Sequence, residues 1–413
     1  MPSTPAWKRL ASTSTFTAKT ASSKAHLHKP IPDDLFPRGY VLGGVHSGVK
    51  KDTSVLDLAV LLSTSSRPTA AAASFTRNAF QAAPVVVSKD VLKQTAGRAR
   101  GLVVNSGCAN AVTGRQGLAD AWAMARATDA LLPPSSSSSQ PAPSSSSSET
   151  ETLVMSTGVI GQPLPISKIL TALQPRSKLA NTLGTGFNAW DAAARAFMTT
   201  DTFPKLRART LSFGDGRTCR IAGIDKGAGM IHPDMAGPAP PLPHATLLGC
   251  IATDAPVAPA ALQAALDYAV QRSFNAISVD GDMSTNDTVV LFANGAAEEE
   301  EEGSAAQGEI DETRDPAAFV CFRDGLTEFM QELAQLVVRD GEGATKFVTI
   351  SVEVRFGGER AHPLKLLILC SRALGRMKTH TKSHRRSQHL RWSRRRSTAK
   401  MPSKSRPSPF VVR

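Results

Sequence analysis

The sequence predicts an α/β fold, because apolar runs of strand length alternate with stretches of helical period along most of its 413 residues. Two further observations agree. Apolar residues make up 41% of the chain and aromatics only 5%, so the core has to be built from Ala, Val and Leu. No apolar run approaches the ~18–20 residues of a membrane span; the strongest near the C-terminus is LKLLIL, and a soluble protein is expected. The length suits one large or two medium globular units.

Taken in order, residues 83–88 (APVVVS) and 101–105 (GLVVN) read as short strands, and 118–132 as a helix. Residues 153–155 (LVM) form another strand, and 211–224 a hairpin turning at 214–216 (GDG). Leu247 and Leu248 open an apolar strand. Residues 259–274 are amphipathic, with Leu262, Leu266 and Ala269 on one face and Pro259 suited to the first turn. A strand over 288–293 precedes a helix over 324–338, carried by Leu326, Met330, Leu333 and Val337. Residues 345–354 (TKFVTISVEV) alternate, placing Val348, Ile350, Val352 and Val354 on one side.

Two stretches interrupt this pattern. The Ser- and Pro-rich run 133–152 reads as a flexible surface linker, and the acidic stretch from Glu298 to about Asp315 as a solvated loop. Residues 1–32 contain Lys8, Arg9, Lys19, Lys24 and Lys29 but no acid, the composition of a mitochondrial transit peptide. The net charge of +13 belongs to the other end: residues 355–413 carry 17 Lys and Arg against the single acid Glu359. The body before them is slightly acidic, so nucleic acid is not expected as a partner. The five cysteines show no CxxC pair and no histidine at metal-ligand spacing, which points to buried thiols in a reducing compartment.

Several motifs can carry chemistry, and each has a plainer reading beside it. Thr246 follows Ala245 and precedes the apolar run. A threonine so placed can attack its own preceding carbonyl, and the cut leaves a hydroxyl beside an α-amine that can take its proton. It can equally be an ordinary residue before a strand. Ser156-Thr157-Gly158-Val159-Ile160-Gly161 ends a strand in a turn that can aim a hydroxyl and a backbone N–H at one oxyanion. Asn105-Ser106-Gly107-Cys108-Ala109-Asn110-Ala111 can cradle an anion or only cap a helix. Residues 280–287 (DGDMSTND) fail as a calcium loop, having Thr285 and Leu291 where Gly and Glu are required, and read better as a tight polar loop supporting a site. In 340–346 (DGEGATK), Glu342 between two glycines can meet an ammonium or sit in an exposed turn.

Eight ordered segments then carry a resemblance: FQAAPV, NSGCANAVTG, STGVIGQPLP, MTTDTFPK, KGAGMIHPDM, ATLLGCIATDA, SVDGDMSTND and DGEGATK. Between about Pro37 and Val354 the chain resembles the bifunctional ornithine acetyltransferase/glutamate N-acetyltransferase family of arginine biosynthesis, in its fungal mitochondrial form. The resemblance implies an α/β sandwich of helices around two β-sheets, of the self-cleaving N-terminal-nucleophile type. It implies a cut between Ala245 and Thr246, with an α chain over 33–245 and a β chain over 246–354. Thr246 would carry acetyl from N-acetylornithine, or from acetyl-CoA as a co-substrate, to glutamate, with no bound cofactor or metal. Thr157 and Gly158 fall on the family's oxyanion positions, and Thr199, Lys226, Thr246 and Glu342 on its substrate-contacting ones. Charge agrees with two of these, since Lys226 can pair a carboxylate and Glu342 an ornithine ammonium. Two α and two β chains in the mitochondrial matrix are the implied assembly and place.

The chain departs from the family twice. Residues 237–244 (GPAPPLPH) separate Met235-Ala236 from Ala245-Thr246, where the family reads Met-Ala-Thr directly; a tolerated loop is expected, because ATLLG resumes intact. The basic tail 355–413 replaces the family's closing segments, as a shifted reading frame or a retained intron would, and a genuine tail implies low or absent activity. The competing functions are a related self-processing aminopeptidase, an inactive member with a defective C-terminus, and a basic-tailed nucleic-acid binder.

Overall fold

The computed structural model describes residues 24–134, 150–236, 247–298 and 308–352, together with the strand backbone at 355–356, 359–360 and 364–366. In chain order the elements are β1 (Tyr40–Val45), β2 (Leu58–Ser63), β3 (Ala70–Thr76), α1 (Ala83–Gln94), β4 (Gly101–Cys108) and α2 (Gly114–Asp129). Next come β5 (Thr152–Val159), α3 (Ile166–Ala172), α4 (Lys178–Thr182), α5 (Phe187–Phe197), β6 (Lys205–Ser212) and β7 (Thr218–Lys226). The rest are β8 (Met235–Ala236), β9 (Leu248–Thr253), α6 (Pro259–Arg272), β10 (Thr288–Ala293), α7 (Pro316–Arg339) and the short strands β11 (Ile350–Val352), β12 (Arg355–Phe356), β13 (Glu359–Arg360) and β14 (Leu364–Leu366).

Two main sheets result. One has four strands in the order β1-β2-β4-β5, the other six in the order β6-β7-β9-β10-β3-β8. Each contains one parallel pair, β4–β5 and β9–β10, and a helix joins the strands of each pair, α2 in the first and α6 in the second. A parallel pair needs such a crossover, which is why strand and helix patterns alternate in the sequence. Period-two alternation then divides the six-stranded sheet between two cores. Ala71, Ala73, Phe75, Cys250, Ala252, Val290 and Phe292 share a core with the four-stranded sheet, α1, α2 and α5. Ala70, Ala72, Ile251, Val289 and Leu291 face the other way, onto α6 and α7. The molecule is thus the expected α/β sandwich of helices around two sheets.

Some expectations need correction. Residues 83–88 are the start of helix α1, not a strand: Pro84 sits in the first turn, and burial of Pro84, Val87, Ser88 and Val91 follows a helical period. A run of three valines is too short to separate the two periods, and helical continuation to Gln94 overrides its β propensity. Of the expected strand 345–354, residues 345–352 are described, and among them only β11 is a strand, its three residues pairing with β14; Phe347 and Val348, adjacent in sequence, both pack on the α6–α7 core, and residues 353–354 lie outside the described residues. Helix α7 begins at Pro316, eight residues before its expected start, because the Asp315 side chain accepts the Ala318 N–H and caps it. The borders of the acidic stretch are likewise not free: Glu298 pairs with Arg67, Glu309 with Arg98 and Asp315 with Arg217. Residues 135–149 and 299–307, most of the two expected loops, lie outside the described residues, as do 1–23 and 367–413. Residues 24–32 contact the body, through Lys24 at 3.8 Å from Asp340 and His28 at 2.9 Å from Asp191. The hairpin β6–β7, helix α6 and strand β10 stand where the sequence put them.

Candidate active site

The site forms where β5, β7, β9 and β10 meet. Parallel pairing of β4 with β5 sets Ser106 opposite Thr157 and Gly107 opposite Gly158. Gly158 has φ +126°, and a Cβ there would lie 2.4 Å from the Gly107 carbonyl carbon, so only glycine fits the turn. Thr157 is buried and Gly158 exposed, which sets the hydroxyl inside and the glycine at the surface of one turn. Asn286 fixes it from outside the sheet: its Nδ2 donates to the carbonyls of Ser156 at 2.8 Å and Ala109 at 2.6 Å. The Asn105–Ala111 segment therefore does more than cap α2. Asn110 ties it to that helix through a 2.8 Å bond to the Gly117 carbonyl. Gly158→Ala should lower the thermal midpoint by an amount corresponding to about 1–3 kcal/mol. Gly161→Ala, at φ +76° with nothing near its Cβ position, is the control and should lose less.

Lys226 ends β7, and its Nζ lies 3.3 Å from the Thr157 Oγ1, both groups buried. Burial pushes the lysine pKa down, although Asp201, Asp287 and Glu342 pull it up. The loop after Lys226 is gripped on several sides. Asp201 accepts the Gly227 N–H at 2.7 Å, Glu342 donates its own N–H to the Ala228 carbonyl at 2.7 Å, and Asp280 accepts the N–H groups of Met230 and Ile231. Through Asp280 the polar loop 280–287 holds the chain that follows Lys226. Among the described residues no group of His, Cys, Asp or Glu forms a metal site. The Glu342 carboxyl lies against Gly229, 2.7 Å from where a Cβ would stand, and is exposed. Thr199, half-buried, donates its N–H to Asp201 at 2.9 Å.

Of the residues singled out from the sequence, Thr157, Gly158, Thr199, Lys226 and Glu342 are therefore gathered around the end of β7. Ala245 and Thr246 lie outside the described residues. The chain resumes at Leu247, whose N–H is accepted by Asp287 and whose carbonyl accepts the Thr288 N–H at 2.9 Å. Register then sets Leu248 beside both Lys226 and Thr288.

Sequence reading missed the residues beneath the site. Lys205 is fully buried and donates to Asp201 at 2.6 Å and Asp340 at 2.7 Å. Burial opposes the charge on Asp201, but Lys205 and Lys226 outweigh it and hold the carboxyl well below the usual range. Burial likewise opposes the Lys205 ammonium, and Asp201, Asp340 and Asp225 outweigh it. Asp225, opposite Lys205 in the β6–β7 register, has no hydrogen-bond partner on either oxygen among the described residues, and burial pushes its pKa far up. Lys50 donates to the carbonyls of Leu56 and Met198 at 2.8 Å each, which steadies the backbone just before Thr199. An acid and a base four residues apart in MTTDTFPK were the available signal for Asp201 and Lys205.

Two sheets, a glycine turn that can hold an oxyanion and a buried lysine beside its hydroxyl define an α/β sandwich enzyme of the acyl-transferring class. Comparison with known proteins makes this specific. The ArgJ family model matches residues 41–374. The chain is 62% identical to the mitochondrial arginine biosynthesis bifunctional protein ArgJ of Postia placenta over 360 residues, 86% of this chain and 73% of that protein. It is 58% identical to that of Coprinopsis cinerea over 364 residues, 87% of this chain and 73% of that one. Among solved structures, ornithine acetyltransferase of Mycobacterium tuberculosis complexed with ornithine is 36% identical, with a TM-score of 0.39, covering 48% of this chain and 94% of that one. ArgJ of Bacillus halodurans is 32% identical, with a TM-score of 0.41, covering 48% of this chain and 92% of that one. The chain belongs to the ArgJ family. It is an amino-acid acetyltransferase of arginine biosynthesis, and it is mitochondrial.

Proposed function

We propose that the chain cuts itself between Ala245 and Thr246, and that Thr246 then moves acetyl from N-acetylornithine to glutamate. The observation that carries this reading is the entry to β9, where Asp287 accepts the Leu247 N–H and Leu248 lies beside Lys226, with the Thr157 hydroxyl joined to Lys226. Thr246 is covalently one residue away. Its hydroxyl attacks the acetyl carbonyl while its α-amine takes the hydroxyl proton. The Thr157 hydroxyl and the Gly158 N–H receive the negative charge that develops on the carbonyl oxygen. The intermediate collapses, the proton passes to the departing nitrogen, and ornithine leaves an acetyl ester on Thr246. The amine of glutamate then attacks that ester in the reverse sequence.

Lys226 pairs the substrate carboxylate, and Glu342, exposed at the rim, meets the ornithine ammonium; Thr199 lines the same space. Acetyl-CoA can load the same threonine, since thioester and amide present the same acetyl carbonyl. The working assembly in this reading is two α and two β chains, without a bound cofactor.

Mass measurement on the purified chain tests the cut. Two fragments meeting at Ala245 and Thr246 are expected, and they should co-purify without denaturant, because β9 is hydrogen-bonded between β7 and β10 within one sheet. A single uncut chain of 43.7 kDa would contradict the reading. An assay with glutamate as acceptor separates transfer from peptide hydrolysis: an aminopeptidase would release products without forming N-acetylglutamate.

A further inference from the structure

Three buried hydroxyls stand together in the β4–β5 pair, Ser106 on β4 and Ser156 and Thr157 on β5. Two of them spend their hydrogens inside the fold. Ser106 donates to the Ala196 carbonyl at 2.5 Å, and Ser156 to the Asn105 side chain at 2.6 Å. Thr157 differs. Its oxygen takes a bond from Lys226 at 3.3 Å, and its own hydrogen meets no acceptor among the described residues. A buried donor is rarely left unspent, because an unmade hydrogen bond costs about 1–3 kcal/mol.

The chemistry of the lysine fixes which way that hydrogen faces. An ammonium carries three donors and no acceptor, so in this pair the threonine oxygen can only accept, and its single hydrogen is turned elsewhere. Burial and Lys205 work against the lysine charge, while Asp201, Asp287 and Glu342 work for it. Both partners are held from behind. Lys226 ends β7 opposite Leu248 of β9, and Asp201 accepts the N–H of the next residue, Gly227. On the other side Asn286 holds the Ser156 carbonyl just before Thr157.

We propose that Lys226 is a positioning residue for the oxyanion turn: by donating to the Thr157 oxygen, it aims the Thr157 hydrogen at the carbonyl oxygen on which charge develops. The proposal rests on the oxyanion reading of Thr157 and Gly158 given above. It gives Lys226 a task separate from pairing a substrate carboxylate, and three donors suffice for both. A hydroxyl already aimed needs no reorganisation at the moment of reaction, whereas a free one has to turn as the charge forms. The bond from the lysine also polarises the threonine O–H and so strengthens it as a donor.

An acetyl donor without a carboxylate separates the two tasks. With 4-nitrophenyl acetate, release of 4-nitrophenolate is followed by absorbance, and the rate of Thr246→Ala is subtracted as background. Thr157→Val deletes the donor and should lower kcat by about 10²–10³-fold. Lys226→Met keeps the hydroxyl but lets it turn, and should lower kcat by about tenfold, a part of that loss, with KM little changed. In the double variant the lysine change should add almost nothing, since the hydroxyl it acts through is gone. Turnover by Lys226→Met equal to wild type would overturn the proposal. So would a double variant whose loss is the product of the two single losses, the result a merely structural lysine gives. Neutron diffraction on wild-type protein in deuterium oxide needs no variant. A lysine deuterium should lie between Nζ and the Thr157 Oγ1, with the threonine deuterium pointing away; a threonine deuterium directed at Nζ would also overturn it. If wild type releases no more nitrophenolate than Thr246→Ala, the acyl-transfer reading fails first, and the neutron result still decides the direction of the hydroxyl.

Discussion

Thr246→Ala should yield a single uncut chain that takes up no acetyl group from N-acetylornithine. One methyl-for-hydroxyethyl change removes both halves of the machinery. Without the hydroxyl there is no attack on the Ala245 carbonyl, and without the cut no α-amine appears to serve as base. Transfer by the covalent route should fall by about 10⁴-fold or more, the loss seen when a nucleophile is deleted from a covalent mechanism. The fold should survive, because Leu247 keeps its bond to Asp287 and Leu248 its place in the β9 register. Thr246→Ser, which retains a hydroxyl, should still be cut and acetylated. Intact-mass spectra after incubation with acetyl-labelled donor read both events at once. Cleavage of Thr246→Ala at the same bond would sink the mechanism.

The insertion at 237–244 bears on that result. Its borders are held close together by described residues. β8 pairs with the end of β3, with Thr76 opposite Met235; the Thr76 N–H bonds the Asp287 carbonyl, and the Asp287 carboxyl bonds the Leu247 N–H. Asn275 also clamps Met235 through both its N–H and its carbonyl. With both borders fixed, extra residues between them add only loop entropy, which grows slowly with length. The inserted residues themselves lie outside the described residues.

What the sequence made legible follows from how each feature is encoded. Helix α6 and strand β10 could be read because local period and burial agree along their whole length. The valines of 83–88 misled because their period is too short to register, and the neighbouring β5 backbone, bonded at Val154 by Ser88 of α1, decides the matter. The turn at Thr157–Gly158 was visible as a strand ending in glycine, but its link to Lys226 joins residues 69 positions apart and has no local signature. Asp201 and Lys205 stand four residues apart in MTTDTFPK, but their joint burial with Asp340 again links positions far apart in the chain. Charged residues in a chain look solvated until the fold shows them buried together. Thr246 was named from sequence alone, and the resemblance rather than its spacing gave it a role.

The second large effect concerns that buried cluster. Lys205→Met should destabilise the protein by about 3–5 kcal/mol, because removing one partner leaves the others buried and uncompensated. Asp201 and Asp340 would both lose their cation, and Asp225 would lose the positive charge that most offsets its burial. At roughly 2 °C per kcal/mol, the lower end for large domains, the melting midpoint falls by about 6–10 °C. The pH dependence identifies the cause. Asp201 has a depressed folded pKa in the wild type, so its contribution is present above the unfolded carboxylate value and is lost only as pH falls well below it. In the variant the Asp201 carboxyl, freed of the Lys205 charge that lowers its pKa, protonates more readily, which relieves the unpaired charge. The gap between wild type and variant should therefore be widest near neutrality and shrink as pH falls through about 4–5, the ordinary carboxylate range. Adding Asp201→Asn to Lys205→Met should recover part of the loss, since the two side chains are in contact and their effects do not add. Function should follow position. Asp201 holds the amides of Thr199 and Gly227, and Asp340 leads directly into the Glu342 turn, so variants that still fold should bind substrate more weakly. Thermal unfolding from acid to neutral pH reads this outcome. A variant as stable as wild type at neutral pH would show that Lys205 is not what holds the two aspartates in place.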